Sequence, residues 1–104
     1  MIDLYLYVDV IFEVVDKDGR KIKMTRERWS HIAINHPDMV NKIEEIKSAL
    51  IKPTLIVPNK YSDDKRNYYK YQKPTSDYIL VIVKYLNQEG YVVSAFSTSK
   101  LVKR

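Results

Sequence analysis

Alternation and helical spacing divide this chain into readable segments. Residues 4–15, LYLYVDVIFEVV, are β-branched and aromatic, and they run into Asp16-Lys17-Asp18-Gly19. An Asp-Gly pair between apolar runs is a strong hairpin signal, so Lys21–Met24 is expected to pair back as a short strand. Thr25 then precedes RERWSHIAIN and suits an N-cap, because its hydroxyl can accept from a backbone N–H of the first turn. Pro37 disfavours helical geometry at His36, which predicts a helix ending near Asn35. Pro37 also suits the start of a second helix, with Asp38 in the first turn complementing the dipole. Met39, Val40, Ile43, Ile46 and Leu50 recur at helical spacing, and Pro53 marks the stop.

Beyond Pro53 the period changes from helix to strand. Leu55–Val57 reads as a short strand and Pro58–Asn67 as a polar loop. Tyr68–Gln72 reads as a strand and Pro74–Asp77 as a turn. Tyr78–Leu86 is apolar on both alternating faces, as a central strand is. Asn87–Gly90 turns the chain into Tyr91–Ser97, and Ser99–Arg104 is a basic tail. The expected architecture is α+β: a short hairpin (1–24), two helices (25–52) and a four-stranded antiparallel meander (54–98) packed on them. One domain, 1–104, contains all of it, with one sheet face taking the helices and the other left free.

Composition narrows the partners. With 104 residues and 45% hydrophobic side chains, the chain can bury one core but not two. Zero cysteines exclude a disulfide framework and thiolate metal sites. No apolar run approaches a membrane span, and the first residues lack a secretory pattern, so a cytoplasmic protein is expected. Residues 1–59 carry 9 basic and 9 acidic side chains, whereas 60–104 carry 9 and 4. The entire excess of 5 positive charges therefore lies in the C-terminal part, as a polyanion-binding face would require.

Lys84 stands out, because it interrupts the aliphatic strand DYILVIVKYL. Counting by twos places it with Tyr78, Leu80, Ile82 and Leu86. In the next strand, Val92, Ser94, Phe96 and Thr98 alternate with Tyr91, Val93, Ala95 and Ser97. A polar patch of Lys84 with Ser94 or Thr98 on one open face is one reading, and ordinary β-structure is the other. His31 and His36 are the only histidines. Their spacing separates them by about 140° around a continuous helix, so a two-histidine metal site is disfavoured. His36 before proline suits a packing role. His31 is the acid–base candidate, against the alternative of a solvated surface imidazole. Finally, Lys65-Arg66 precedes Asn67-Tyr68-Tyr69-Lys70-Tyr71, interleaving cations with rings that can stack on bases.

The segment TRERWSHIAINHPD, Thr25–Asp38, resembles the T-x-E-R-W-x-H-I-x-x-x-H-P-E helical signature of a family of small phage and bacterial domains. That family is classed with the barnase–EndoU–colicin–RelE-like (BECR) nucleases. Later blocks resemble it as well: Tyr68-Tyr69-Lys70, then Val81–Lys84, then Val92–Lys100, where the family carries V-V-T-A-Y-x-T followed by Lys. The likeness runs from residue 10 to 103 in order. It implies two helices on a four-stranded antiparallel sheet and metal-independent, cofactor-free RNA cleavage by a toxin-like enzyme. His31, Tyr69, Lys84, Ser94 and Thr98 fall on the polar positions of those motifs. Arg28, Trp29, His36 and Pro37 also match, with Trp29 and Pro37 architectural. Ser94 replaces the family's Thr and keeps a hydroxyl, whereas Phe96 replaces Tyr and loses one.

Cleavage of this kind uses the RNA 2′-hydroxyl as nucleophile and needs a base, an acid and cations for the phosphorane. The resemblance implies His31 as an acid–base group, with Lys84 and Arg28 stabilising charge and Ser94 and Thr98 hydrogen-bonding the scissile phosphate. Tyr69 would stack on a base or assist proton transfer, while Arg66, Lys70 and Lys100 hold flanking phosphates. An acidic inhibitor protein is an expected partner besides RNA. The competing expectations are a non-catalytic RNA-binding or protein-interaction module and, more weakly, a DNA nuclease.

Overall fold

The computed structural model describes residues 9–101. The expected strand residues 4–8 and the tail residues 102–104 lie outside the described residues. The chain runs through β1 (Val10–Val15), β2 (Lys21–Thr25), α1 (Arg26–Asn35), a 3₁₀ turn (Pro37–Met39), α2 (Ile43–Ile51), β3 (Leu55–Pro58), β4 (Lys65–Gln72), β5 (Asp77–Leu86) and β6 (Glu89–Thr98).

The expected four-stranded sheet is wrong: all six strands form one sheet, ordered β1-β2-β6-β5-β4-β3. The N-terminal hairpin does not stand apart from the meander. Ile22 and Lys23 of β2 pair in parallel with Gly90 and Tyr91, so they satisfy the edge of β6 that a four-stranded sheet would leave open. The other neighbouring pairs are antiparallel.

Local chemistry accounts for the hairpin and first helix. Gly19 has φ +85°, which the β1–β2 turn requires, and Asp16 Oδ1 accepts from the Asp18 and Arg20 amides at 2.9 Å. Thr25 ends β2 and caps α1 at once, its hydroxyl accepting from Arg28 N at 3.2 Å. The helix stops at Asn35, as Pro37 requires. The second helix does not begin at Pro37. That proline opens only the 3₁₀ turn, and α2 starts at Ile43, past Asn41, a residue that competes with helical hydrogen bonding. Of the expected stripe, Met39, Ile46 and Leu50 are fully buried, whereas Val40 is exposed.

Two apolar clusters sit on opposite faces of the sheet. On one face, Phe12, Ile22, Met24, Tyr68, Ile79, Val81, Val83, Val92 and Ala95 pack under Ile32, Met39, Ile46, Ala49 and Leu50. On the other, Val57, Tyr69 and Leu80 form a smaller cluster with Leu55, Tyr78, Ile82, Phe96 and Leu101. We call the second the open face. Among the described residues no helix is laid across it, although the His36 ring at the end of α1 stacks on Phe96 at 5.2 Å.

Gly90 is packed without slack where β2, β6 and β5 meet. A β-carbon there would lie 2.8 Å from Val83 Cγ1, 3.0 Å from Ile22 Cγ1 and 3.1 Å from Tyr85 Cε1. Two of those neighbours are stiff, β-branched side chains. Gly90→Ala is therefore expected to destabilise by about 1–3 kcal/mol through overpacking. Thermal unfolding should report this as a Tm lowered by roughly 4–8 °C per kcal/mol.

Candidate functional site

A cleft opens because β2 stays with β6 for only two residue pairs. After Lys23 the chain passes through Thr25 into α1 and leaves β6, so the first turns of α1 stand beside the open face. Lys23, Thr25, Arg28, Lys84, Tyr91, Val92 and Val93 line the resulting cleft of about 210 Å³. Register explains why these side chains meet. Lys84 of β5 pairs with Tyr91 of β6, and Tyr91 pairs with Lys23 of β2. Paired residues share a sheet face, so the three form a row across adjacent strands about 4.8 Å apart. Lys65 of β4, opposite Lys84, and Glu13 of β1, opposite Lys23, extend that row.

The charges in the row are unequally compensated. Lys23 lies 3.2 Å from Glu89 and 3.9 Å from Glu13. The Glu89 hydrogen bond raises its pKa against a smaller opposing effect of burial, with the charges of Glu89 and Glu13 and the Tyr91 phenol adding to the rise, so Lys23 is cationic at neutral pH. Among the described residues, Lys84 meets only Asp64, at 3.9 Å, with 43% of each side chain exposed. An exposed pair of that kind is worth about 0–1 kcal/mol. The Asp64 carboxyl titrates below its ordinary value, chiefly through its hydrogen bond from Ser62 and then through the Lys84 charge. Among the described residues, Arg28 and Lys65 have no ion-pair partner.

The structure brings some of the candidate residues together and separates others. Lys84 and Arg28 share the cleft. Ser94 pairs with Ile82, the next open-face position along β5 from Lys84. His31 is exposed one helical turn beyond Arg28 and does not line the cleft. Thr98 pairs with Tyr78, six residues along β5 from Lys84, or about 20 Å away. It therefore cannot hold the same phosphate, and its hydroxyl instead accepts from Lys100 N at 3.2 Å. Tyr69 is 1% exposed in the open-face cluster, edge-on to Tyr78. A buried ring has no face left for a base.

Arg66 and Lys70 lie on the helix side of the sheet, paired with Val83 and Ile79 of the main core. Arg66 pairs with Asp18 at 3.8 Å, and Lys70 donates to the Lys52 carbonyl at 2.7 Å. Both are on the wrong side to hold a ligand in the cleft. Lys100 is exposed just beyond Thr98, at the far end of the open face.

Directly behind the cleft, on the helix side, lies a buried polar network. Asp16 is the only buried charged residue among those described. Its Oδ2 lies 3.0 Å from the Tyr68 hydroxyl and 3.3 Å from the Tyr85 hydroxyl, and the two phenols also contact each other, so two O–H protons are shared among three oxygens. The Arg20 and Arg66 guanidinium carbons lie 5.2 and 5.4 Å from the Tyr85 ring centroid. Tyr85 follows Lys84, and its amide donates to the Asp64 carbonyl at 2.8 Å. The network thus fixes the strand that carries Lys84.

Sequence reading missed Lys23 and Tyr91. Lys23 alternates with the buried Ile22 and Met24, so its face was legible from hairpin alternation, but the β2–β6 contact was not. Tyr91 was hidden by a bulge. The β5–β6 register shifts between Ile82 and Val83, inserting an extra residue near Val93 and placing Tyr91 on the face of Ser94 and Phe96. Among the described residues, no group of three His, Asp or Glu could hold a metal, and no helix is long and apolar enough to cross a membrane. The chain matches no family model, no curated protein and no solved structure.

Burial is the first cause that raises the pKa of both Tyr68 and Tyr85; for Tyr68 the hydrogen bond with Tyr85 adds to the rise, and for both so does the nearby Asp16 charge. Unfolded tyrosine loses its proton near pH 10.0, while these two retain theirs in the fold. Their contribution is complete below that pH and is lost as the pH rises further, because the folded state then binds more protons. Chemical denaturation at several pH values should show stability falling above about pH 10, with a shallower fall in Tyr68→Phe. At neutral pH that variant should cost about 1 kcal/mol or more for its lost hydrogen bonds.

Proposed function

We propose that the chain is a metal-independent, toxin-like endoribonuclease related to the BECR nucleases, with its reaction site in the cleft between α1 and the open sheet face. The observation that carries this reading is that Arg28 and Lys84, 56 positions apart in the sequence, line one cleft. A guanidinium and an ammonium that line one small groove suit a phosphate diester whose negative charge rises in the transition state. The sequence likeness of Thr25–Asp38, Val81–Lys84 and Val92–Lys100 supports the same assignment.

In this reading the RNA 2′-oxygen attacks the adjacent phosphorus and the bond to the 5′-oxygen breaks. The products are a 2′,3′-cyclic phosphate and a free 5′-hydroxyl. Lys84 and Arg28 stabilise the phosphorane, and Ser94, one pleat away, donates to a phosphate oxygen. From its exposed position one helical turn beyond Arg28, His31 takes the 2′-hydroxyl proton or supplies one to the leaving 5′-oxygen, with solvent water as the counterpart for the other transfer. RNA is the partner at the cleft, in a cytoplasmic setting, and an acidic inhibitor protein would cover the same cations.

One observation favours a second reading, a non-catalytic RNA-binding module. Among the described residues no hydrogen bond holds the His31 imidazole, so nothing within the fold orients it. Incubation of labelled single-stranded RNA with the protein in excess EDTA separates the two. Fragments with cyclic phosphate ends are expected, and retention of intact RNA would establish the binder. His31→Ala should lower the cleavage rate by about 10²–10⁴-fold. Lys84→Ala should lower it comparably, whereas Thr98→Ala should leave it within a few-fold of wild type. A DNA strand of the same sequence should remain intact, since it lacks the nucleophile.

A further inference from the structure

The open face is banded across its strands rather than along them. At the α1 end the row reads Lys65, Lys84, Tyr91, Lys23 and Glu13 from β4 to β1. The next row holds Asn67, Ile82 and Ser94, and the one after it Tyr69, Leu80 and Phe96. Among these rows positive charge is confined to the first, and Lys100 lies apart from it, beyond Thr98 at the far end of the face.

We propose that Lys65, Lys84 and Tyr91, closed by Arg28 from α1, form a track that takes an unpaired polynucleotide across the strands, with Tyr91 stacking on one base. The proposal rests on the nucleic-acid reading of the cleft but not on catalysis there. Lys65 and Arg28 have no ion-pair partner among the described residues, and Lys84 has only its long contact to Asp64. These three cations are the ones that phosphates can claim. Lys23 is engaged by Glu89, and Glu13 stands beyond it. Free positive charge therefore ends at β2, and α1 rises there, so the strand enters over β4 and finishes under Arg28.

Tyr91 supplies the selectivity. Among the described residues it is the only aromatic side chain lining the cleft, and it stands between Lys84 and Lys23. A ring flanked by phosphate-binding groups can stack on a base only where that base is free of a duplex. The ligand class is thus single-stranded nucleic acid, and the ring rather than the phenolic hydroxyl is what recognises it.

The test uses a fluorescent 2′-O-methyl RNA dodecamer, which lacks the nucleophilic hydroxyl, so binding is read without turnover. Affinity is measured against salt for the single strand and for its duplex. Wild type should prefer the single strand. Lys65→Ala and Arg28→Ala should each weaken binding and flatten the plot of log K against log salt by roughly 0.7–1 in slope. Lys23→Ala should change the slope less, and Lys73→Ala, in the β4–β5 turn, not at all. Tyr91→Ala should lose about 10-fold or more in single-strand affinity, and Tyr91→Phe should retain it. Slopes unaltered in Lys65→Ala and Arg28→Ala, equal affinity for single strand and duplex, or a loss in Tyr91→Phe equal to that in Tyr91→Ala would each overturn the track. Row-dependent binding by a protein that leaves natural RNA intact would support the track and refute the ribonuclease reading alone.

Discussion

The geometry of this protein depends on how briefly β2 stays beside β6. Two parallel residue pairs are enough to merge the N-terminal hairpin into the sheet, and too few to cover the rest of β6. Thr25 ends the contact, since the residue that closes the strand is also the cap that starts α1. A longer β2 would have filled the space now occupied by the cleft. A shorter one would have left the hairpin detached and Lys23 remote from Tyr91.

That junction also sorts charge from apolar surface. The helix side of the sheet is occupied by the main core and by a carboxylate that two phenols and two turn amides satisfy. Burial of Asp16 is tolerable because each of those donors points at it. The open face keeps a second apolar cluster at one end and sets Lys65, Lys84 and Lys23 at the other. Consecutive residues of β5 serve the two sides: Val83 and Tyr85 are held in the interior while Lys84 projects between them. The ammonium is positioned by its buried neighbours, so it needs no strong counterion to fix it.

Short-range chemistry was legible in the sequence, and long-range pairing was not. The Asp-Gly turn, the Thr25 cap and the Arg26–Asn35 helix each depend on residues within a few positions of one another. Strand alternation likewise put Lys84 on a face with Ser94, and it also separates Tyr69 from Lys70, which the candidate set had combined. Alternation says nothing about position along a face, and so Thr98 was grouped with Lys84 despite lying at the opposite end. The bulge near Val93 reverses the parity that hid Tyr91. The β2–β6 contact, between residues 68 positions apart and with no periodicity of its own, turned an expected four-stranded sheet into six strands.

The two walls of the cleft are anchored very differently. Its floor is sheet with no room to spare, since a β-carbon at Gly90 would crowd Ile22 on one adjoining strand and Val83 and Tyr85 on the other. Among the described residues, the helix opposite is fastened by one buried side chain, Ile32, assisted by the half-buried Trp29, the His36 ring on Phe96 and the exposed Arg26–Asp9 pair at its start. An element held by so few apolar contacts opens at lower free energy than the strands beneath it. Of the two walls, the helix is therefore the one with less packing to lose when a bulky occupant presses on the groove.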